Sequence, residues 1–348
     1  MQLQQKKGQP PADIQARMAL LQMSSGYWIS QSLYAAAKLK IADLLKDGAK
    51  HYNELANATN TDSYSLYRLL RALANVDVFA EQEPGYFSLT PIAQGLRSDV
   101  AGSMRDSILL GGGEYYRAWG NLLHSLTTGE SAFEQEYGMP VFDYYQQNEA
   151  SGAVFDRAMK NISDAIKPAI VNGYDFSGIS QLVDIGGGNG SLIASILKAN
   201  PHLQGILFDQ AAAIANAQTV LQSQGISDRC ELIAGDFFNS VPQGADAYFL
   251  KYVLHNWDDE SAIAILRNCR HAMNQDSKLL VVEQIIPPGN EPFFGKLIDL
   301  HMLVNFSGGR ERTAAEYQSL FEAAGFMLNK IIPTRSNVSI IEAIATNR

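Results

Sequence analysis

The sequence predicts an α/β chain: a mostly helical N-terminal region followed by a doubly wound, largely parallel sheet. Three observations carry that expectation. Apolar residues recur at three- and four-residue spacing from Gln15 to about Arg105. After Ser180 the period changes, and short β-rich runs alternate with helical stretches, the pattern of parallel βαβ units. A glycine-rich loop, Gly186-Gly187-Gly188-Asn189-Gly190, joins the first of those runs to the first of those helices.

In the N-terminal region, HYNELANATNTDSYSLYRLLRALANVDVF reads as helix, turn, helix. The following EPGYFSLTPIAQGL reads as a short hairpin turning at Pro84-Gly85. Helix-turn-helix plus hairpin is a winged-helix pattern, here within residues 1–105. Its would-be recognition helix, SYSLYRLLRALANV, offers only Arg68 and Arg71 and is otherwise so apolar that burial is expected, not DNA binding. Residues 106–178 look helical and are rich in aromatics and methionine, among them Tyr115, Tyr116, Trp119, Phe133, Met139, Phe142, Phe155 and Met159. Such residues suit a pocket for a flat molecule and equally an ordinary core. Residues 179–348 carry the strands: QLVDI, GILF, CELIAG, DAYFLKYVL and KLLVVEQ with helices between them, then EYQSLFEAAGF, MLNKIIP and SNVSIIEAIA, a helix and two more strands.

Bulk properties exclude several classes. With 46% hydrophobic and 18% charged residues the chain has a globular composition. No apolar run approaches the ~20 residues of a membrane-spanning helix. The opening MQLQQKKGQPPADIQ lacks the apolar stretch of a signal peptide. The only two cysteines, Cys230 and Cys269, lie in apolar-periodic sequence, so the expectation is a cytoplasmic protein without disulfides. Residues 1–105 hold 11 Lys and Arg against 9 Asp and Glu, whereas residues 106–348 hold 16 against 27. An acidic C-terminal part argues against a nucleic-acid substrate, which needs clustered cations. The histidines (His51, His124, His202, His255, His271 and His301) form no close ligand pair, and no metal is expected.

Ligand chemistry gathers at the strand ends. Glycines at 186 and 188 allow a tight turn and close backbone approach to a ligand. A dinucleotide fingerprint would need glycine at 191, where Ser191 stands. Asp184, at the end of the first strand, would repel a pyrophosphate but suits an amino group. Asp209 ends the second strand, placed for ribose hydroxyls. Gly235-Asp236-Phe237 ends the third, offering an acceptor for an adenine amine and a ring to pack on it. Together they select an adenosine ligand that bears an amino group.

Downstream, LKYVLHNWDDESAIAIL puts His255 just beyond a strand at the same edge. Asp258, Asp259 and Glu260 read as capping and dipole-compensating residues of the next helix. Glu283 ends the strand KLLVVE, and Glu311 lies in the loop FSGGRERT. A histidine with two carboxylates follows the logic of a general base and its orienters.

The glycine loop, L-H-x-W-x-D-E, V-E-Q and G-G-R-E-R-T occur in this order, and the chain resembles the S-adenosylmethionine-dependent O-methyltransferases of the caffeic acid and isoflavone type. It also resembles their bacterial small-molecule counterparts. The resemblance spans nearly the whole chain. It implies a Rossmann-like seven-stranded sheet behind a winged-helix dimerisation domain, and hence a homodimer. It aligns His255 with the general base and Glu283 and Glu311 with the acids that bracket its ring. Asp209, Asp236, Phe237, Lys251, Gly186 and Ser163 align with cofactor contacts. Phe155, Met159, Trp257 and Met302 align with the acceptor pocket. In one respect the chain departs from the plant enzymes. They have asparagine before P-G-G, whereas Asn305-Phe306-Ser307-Gly308-Gly309 puts Phe306 at that place and Asn305 one residue off. The implied activity is methylation of a hydroxyl on a small aromatic or polyketide-like acceptor. N- or C-methylation, a non-methylating variant of the fold, and a regulator that binds S-adenosylmethionine without chemistry stay open. Product mass and methyl position separate them.

Overall fold

The computed structural model describes residues 11–346, so most of the polar opening stretch lies outside the described residues. The chain divides into two compact units between Glu114 and Tyr115. The helix Arg105–Gly112 therefore belongs to the first unit, and residues 115–178 fall in the same unit as the large sheet.

In the first unit, β1 (Lys50–His51) leads into the helices Tyr52–Thr59 and Ser63–Ala74, followed by β2 (Phe79–Glu83) and β3 (Tyr86–Leu89). The three strands pair antiparallel in the order β1-β3-β2. His51 and Glu54 form a capping box on the first helix, and Asp62 caps the second by accepting the Ser65 N–H at 2.8 Å. Gly85, at φ 83°, makes the hairpin turn. Leu55, Leu66, Leu70, Leu73, Phe79 and Phe87 form the core. The helix Ser63–Ala74 is buried on that face only, and Tyr64, Arg68 and Arg71 are exposed. Ahead of this motif, the helix Ala12–Ser24 buries none of its side chains.

In the second unit, short helices and the long helix Glu149–Val171 precede seven strands. These are β4 (Gln181–Ile185), β5 (Gln204–Asp209), β6 (Cys230–Ala234), β7 (Ala247–Lys251), β8 (Lys278–Glu283), β9 (Phe326–Pro333) and β10 (Ser339–Ala345). The sheet order is β6-β5-β4-β7-β8-β10-β9. The first five are parallel, and β10 inserts antiparallel between β8 and β9. Alternate side chains feed two cores, Val183, Ile185, Leu279 and Val281 on one face and Leu182, Leu207, Leu280 and Val282 on the other. Burial on both faces explains the near-continuous apolar runs. The chain reverses its direction of winding between β4 and β7, so the ligand crevice of this architecture opens beyond the ends of those strands. There β7 stops at Lys251, earlier than the apolar run suggests. Tyr252, at φ 54°, turns the backbone into a single 3-10 turn, Leu254–Asn256, which carries His255.

Candidate active site

Gly186, Gly188 and Gly190 all take positive φ, at 69°, 59° and 74°. A Cβ on Gly187 would come within 2.5 Å of Asp184 Oδ2, and one on Gly186 within 2.8 Å of Val253 Cγ2. The loop is bare backbone wrapped round a carboxylate. Asp184 is 2% exposed, and its Oδ2 has no hydrogen-bond partner among the described residues. Burial raises its carboxyl to about 7, with Lys251 opposing and Asp209 adding to the shift. Asp209 Oδ2 accepts the Gly188 N–H at 2.8 Å, and its Oδ1 accepts the Gln210 N–H at 2.7 Å. Asp236 Oδ1 accepts the Phe238 N–H at 2.9 Å, and Oδ2 the Asn239 amide at 3.2 Å. Each of these oxygens keeps a second lone pair for a ligand. Lys251 Nζ reaches Ser163 Oγ at 2.6 Å, and burial draws its ammonium down to about 8 against the pull of Asp184. An orphaned buried carboxylate oxygen, a bare glycine cradle and two strand-end carboxylates fit the ammonium, carboxyl-adenosyl and ribose parts of S-adenosylmethionine.

His255 sits on a turn whose backbone is held from two sides. Glu283, fully buried at the end of β8, accepts the N–H groups of Val253, Leu254 and His255 on Oε1 at 3.1, 2.7 and 3.2 Å. Its Oε2 accepts the Tyr317 hydroxyl. Arg312, also fully buried, donates to the carbonyls of Leu254 and Trp257 at 3.0 and 2.8 Å and to Asp259 Oδ1 at 2.8 Å. The His255 carbonyl accepts the Arg310 N–H at 2.8 Å. On the side-chain side, His255 Nδ1 lies 2.9 Å from Glu311 Oε1, and Tyr252 stacks on the imidazole at 5.0 Å. Glu283 thus meets the backbone under His255 and Glu311 meets its ring. Burial pulls the imidazolium down, but the Glu311 hydrogen bond and both carboxylate charges outweigh it, and the net shift is upward. Of the three acids after Trp257, Asp258 caps the helix Asp259–Ala272, whereas Asp259 pairs with Arg312.

Phe155, Met159 and Ser163 recur every fourth residue on the helix Glu149–Val171 and share one face of it. Phe155 stacks on Tyr145 at 4.6 Å and meets Phe142 edge-on at 6.2 Å, and Phe142 lies 5.7 Å from Phe306. Met302 is buried, and a Cβ on Gly309 would lie 3.3 Å from both its Cε and the His255 carbonyl. Trp257 packs edge-on against Phe237 at 6.2 Å and against Phe238 at 4.8 Å.

Residues 119–327 match the O-methyltransferase domain, and residues 21–99 match the O-methyltransferase dimerisation domain. The chain belongs to the O-methyltransferase family. This O-methyltransferase is 48% identical to a phenazine O-methyltransferase of Lysobacter antibioticus, over 93% of this chain and 95% of the relative. It is 35% identical to an 8-amino-8-demethylriboflavin N,N-dimethyltransferase of Streptomyces davaonensis, over 95% and 96% of the two chains. The crystal structure of an O-methyltransferase from neocarzinostatin biosynthesis, in complex with S-adenosylmethionine and 2-hydroxy-5-methyl naphthoic acid, superposes with a TM-score of 0.81. It is 33% identical and covers 91% of this chain and 95% of its own. The enzyme is an S-adenosylmethionine-dependent methyltransferase.

Four residues of this O-methyltransferase site escape a reading of the sequence. Arg312 stands inside G-G-R-E-R-T, where the neighbouring glutamate draws attention, and its role shows only once the loop folds under residues 254–259. Tyr317 lies in an ordinary amphipathic helix, and Tyr252 at a strand end. His301 carries no motif signal. It meets Trp119, 182 positions away, with the indole N–H donating to its Nδ1 at 3.1 Å.

Proposed function

We propose that this O-methyltransferase methylates a phenolic hydroxyl on a flat, fused-ring acceptor of the phenazine kind, with His255 as general base. The 2.9 Å contact between His255 Nδ1 and Glu311 Oε1 carries the reading. A carboxylate there accepts the Nδ1 proton and fixes the tautomer whose Nε2 lone pair takes the phenolic proton. S-adenosylmethionine, when bound, supplies a methyl group already activated for transfer. The residues of the chain must align the acceptor and remove one proton. An ordinary phenol (pKa about 10) gives its proton to an ordinary imidazole (about 6.5) only at a cost of roughly 5 kcal/mol. The upward shift of His255 narrows that gap. Deprotonation and methyl transfer are then coupled, with Glu311 and Glu283 favouring the imidazolium as it forms.

The acceptor class rests on the aromatic run Phe142, Phe155 and Phe306 and on the likeness to the phenazine O-methyltransferase. Asp184 with Lys251 and Ser163, and the strand-end Asp209 and Asp236 with Phe237, hold the cofactor in this reading. Gly186 and Gly188 give it room, and Met159, Trp257 and Met302 complete the apolar lining. The enzyme works as a homodimer through its N-terminal domain, in the reducing cytoplasm that its free, buried Cys230 and Cys269 suit. His255→Ala lowers kcat at least about a hundredfold on a hydroxyphenazine, within the usual worth of a general base. A loss under tenfold with S-adenosylhomocysteine affinity intact leaves catalysis to proximity alone and overturns the base assignment. A second reading, N-methylation, is favoured by the riboflavin-type relative. The position of the methyl group in the product decides between them.

A further inference from the structure

His301 lies on the helix Gly295–Asn305, one residue before the Met302 that borders the His255 turn. Its ring is enclosed: Tyr115 meets it edge-on at 4.6 Å, and Trp119 stacks at 6.3 Å. Both polar contacts of the ring fall on one atom. Trp119 Nε1 lies 3.1 Å from His301 Nδ1, and Asn305 Nδ2 lies 3.2 Å from it. An indole N–H can only donate, so Nδ1 must hold the lone pair and the imidazole proton must sit on Nε2. The Asn305 amide agrees, because its nitrogen also donates to the His301 carbonyl at 2.9 Å, a geometry its oxygen could not satisfy. Nε2 has no hydrogen-bond partner among the described residues. Burial, aided by the charge on His255, lowers the imidazolium to about 4, so the ring stays neutral. Beside it Asn305, 0% exposed, leaves its Oδ1 without a partner among the described residues.

A neutral imidazole whose tautomer is fixed by two neighbours, with its one N–H left open, is a preset hydrogen-bond donor. We propose that His301 is a specificity-determining residue. Its Nε2–H donates to a second, uncharged acceptor atom of the aromatic substrate, a ring nitrogen or a carbonyl, while His255 attends the hydroxyl. Trp119 and Asn305 are positioning residues that hold the tautomer. The site then rejects carbocyclic isosteres, because they cover the N–H without offering it a partner.

This inference rests on the aromatic-acceptor reading above, and one experiment separates the two. The full-length enzyme is assayed with S-adenosylmethionine on 1-hydroxyphenazine and on 1-hydroxyanthracene, which keeps the shape and hydroxyl but lacks the ring nitrogens. The wild type is expected to favour the phenazine at least tenfold in kcat/KM. His301→Phe is expected to erase that preference, with a higher KM for the phenazine and a lower one for the anthracene, and S-adenosylhomocysteine affinity unchanged. His301→Gln, which keeps an N–H donor, restores part of it. Equal kcat/KM for the two acceptors in the wild type overturns the inference without recourse to any variant. So does a His301→Phe enzyme that loses both activities in proportion. If the wild type methylates neither compound, the acceptor reading itself falls, and this inference with it.

Discussion

Glu311 Oε1 lies 2.9 Å from His255 Nδ1, while Glu283, equally buried, touches only the backbone of the same turn. The two carboxylates therefore act differently on one imidazole. Both charges raise the proton affinity of the ring, but Glu311 also sets its tautomer, whereas Glu283 holds the backbone on which it stands.

That division predicts a directional pH effect. The base works when neutral, so kcat rises as pH climbs through the His255 pKa. Glu311→Gln removes a charge and a charge-assisted hydrogen bond, both of which hold that pKa up. The acidic limb of the kcat profile should therefore move to lower pH, while the plateau falls about ten- to a hundredfold. A limb that stays in place, or moves to higher pH, contradicts the assignment of Glu311 to the ring.

Arg312 makes a second prediction, about geometry. Its guanidinium reaches the carbonyls of Leu254 and Trp257 on either side of His255; the Leu254 carbonyl also accepts the Trp257 N–H at 3.2 Å, whereas no other described donor reaches that of Trp257. Arg312→Met strands the Trp257 carbonyl, leaves that of Leu254 with one donor, and should destabilise the fold by about 1–3 kcal/mol. A shift in Tm of several degrees, with kcat lost far more than S-adenosylhomocysteine affinity, is the expected pattern. Lysine offers a point charge where a fork is needed, so Arg312→Lys should recover only part of either. Unchanged Tm and kcat in Arg312→Met exclude the clamp.

How much of this was legible in the sequence follows from how local each feature is. The glycine loop, the strand-end carboxylates Asp184, Asp209 and Asp236, and His255 with its two glutamates all sit in short stretches whose residue types state their chemistry. The winged-helix order and the strands are readable from periodicity and turn residues. What periodicity cannot give is pairing. That β10 inserts antiparallel between β8 and β9 is decided by which edge of the sheet remains open, information no single run contains. The partners of Glu283 are equally hidden, since three backbone amides have no residue type. Tyr317, Arg312 and the Trp119–His301 pair depend on contacts between distant segments. The helix Ser63–Ala74 shows the limit from the other side: its composition suggests full burial, yet its amphipathic spacing leaves Tyr64 and both arginines exposed.

The N-terminal helices supply a third prediction. Ile14, Met18, Leu20, Leu21, Met23, Tyr27, Trp28 and Ile29 are each at least 42% exposed, with Leu21 at 67% and Trp28 at 62%. So many large apolar side chains on one short stretch exceed what a soluble monomer leaves uncovered. The stretch overlaps the matched dimerisation domain from residue 21 onward. Sedimentation should give a dimer at micromolar concentration, and Leu21→Glu with Trp28→Glu should shift it to monomer. A wild-type monomer, or a dimer indifferent to both changes, places the interface elsewhere.

Asp184 yields the last prediction, because its buried carboxyl sits near neutrality. Burial raises it to about 7, and its Oδ2 has no partner among the described residues. An ammonium group beside it favours the ionised form, so binding an amino-bearing ligand must expel a proton whenever the carboxyl starts out protonated. Below pH 7 that proton is present in the free protein, and affinity for S-adenosylhomocysteine should fall, approaching tenfold per pH unit well below the pKa. Above pH 7 the carboxyl is already ionised, and affinity should level off. Calorimetry at pH 5.5, 6.5 and 7.5 in buffers of different ionisation enthalpy reads both the affinity and the proton released. Asp184→Asn should bind more weakly at pH 7.5 and lose the dependence below it. Flat affinity across this range in the wild type means that Asp184 faces no cation in the complex, and the amino group is held elsewhere.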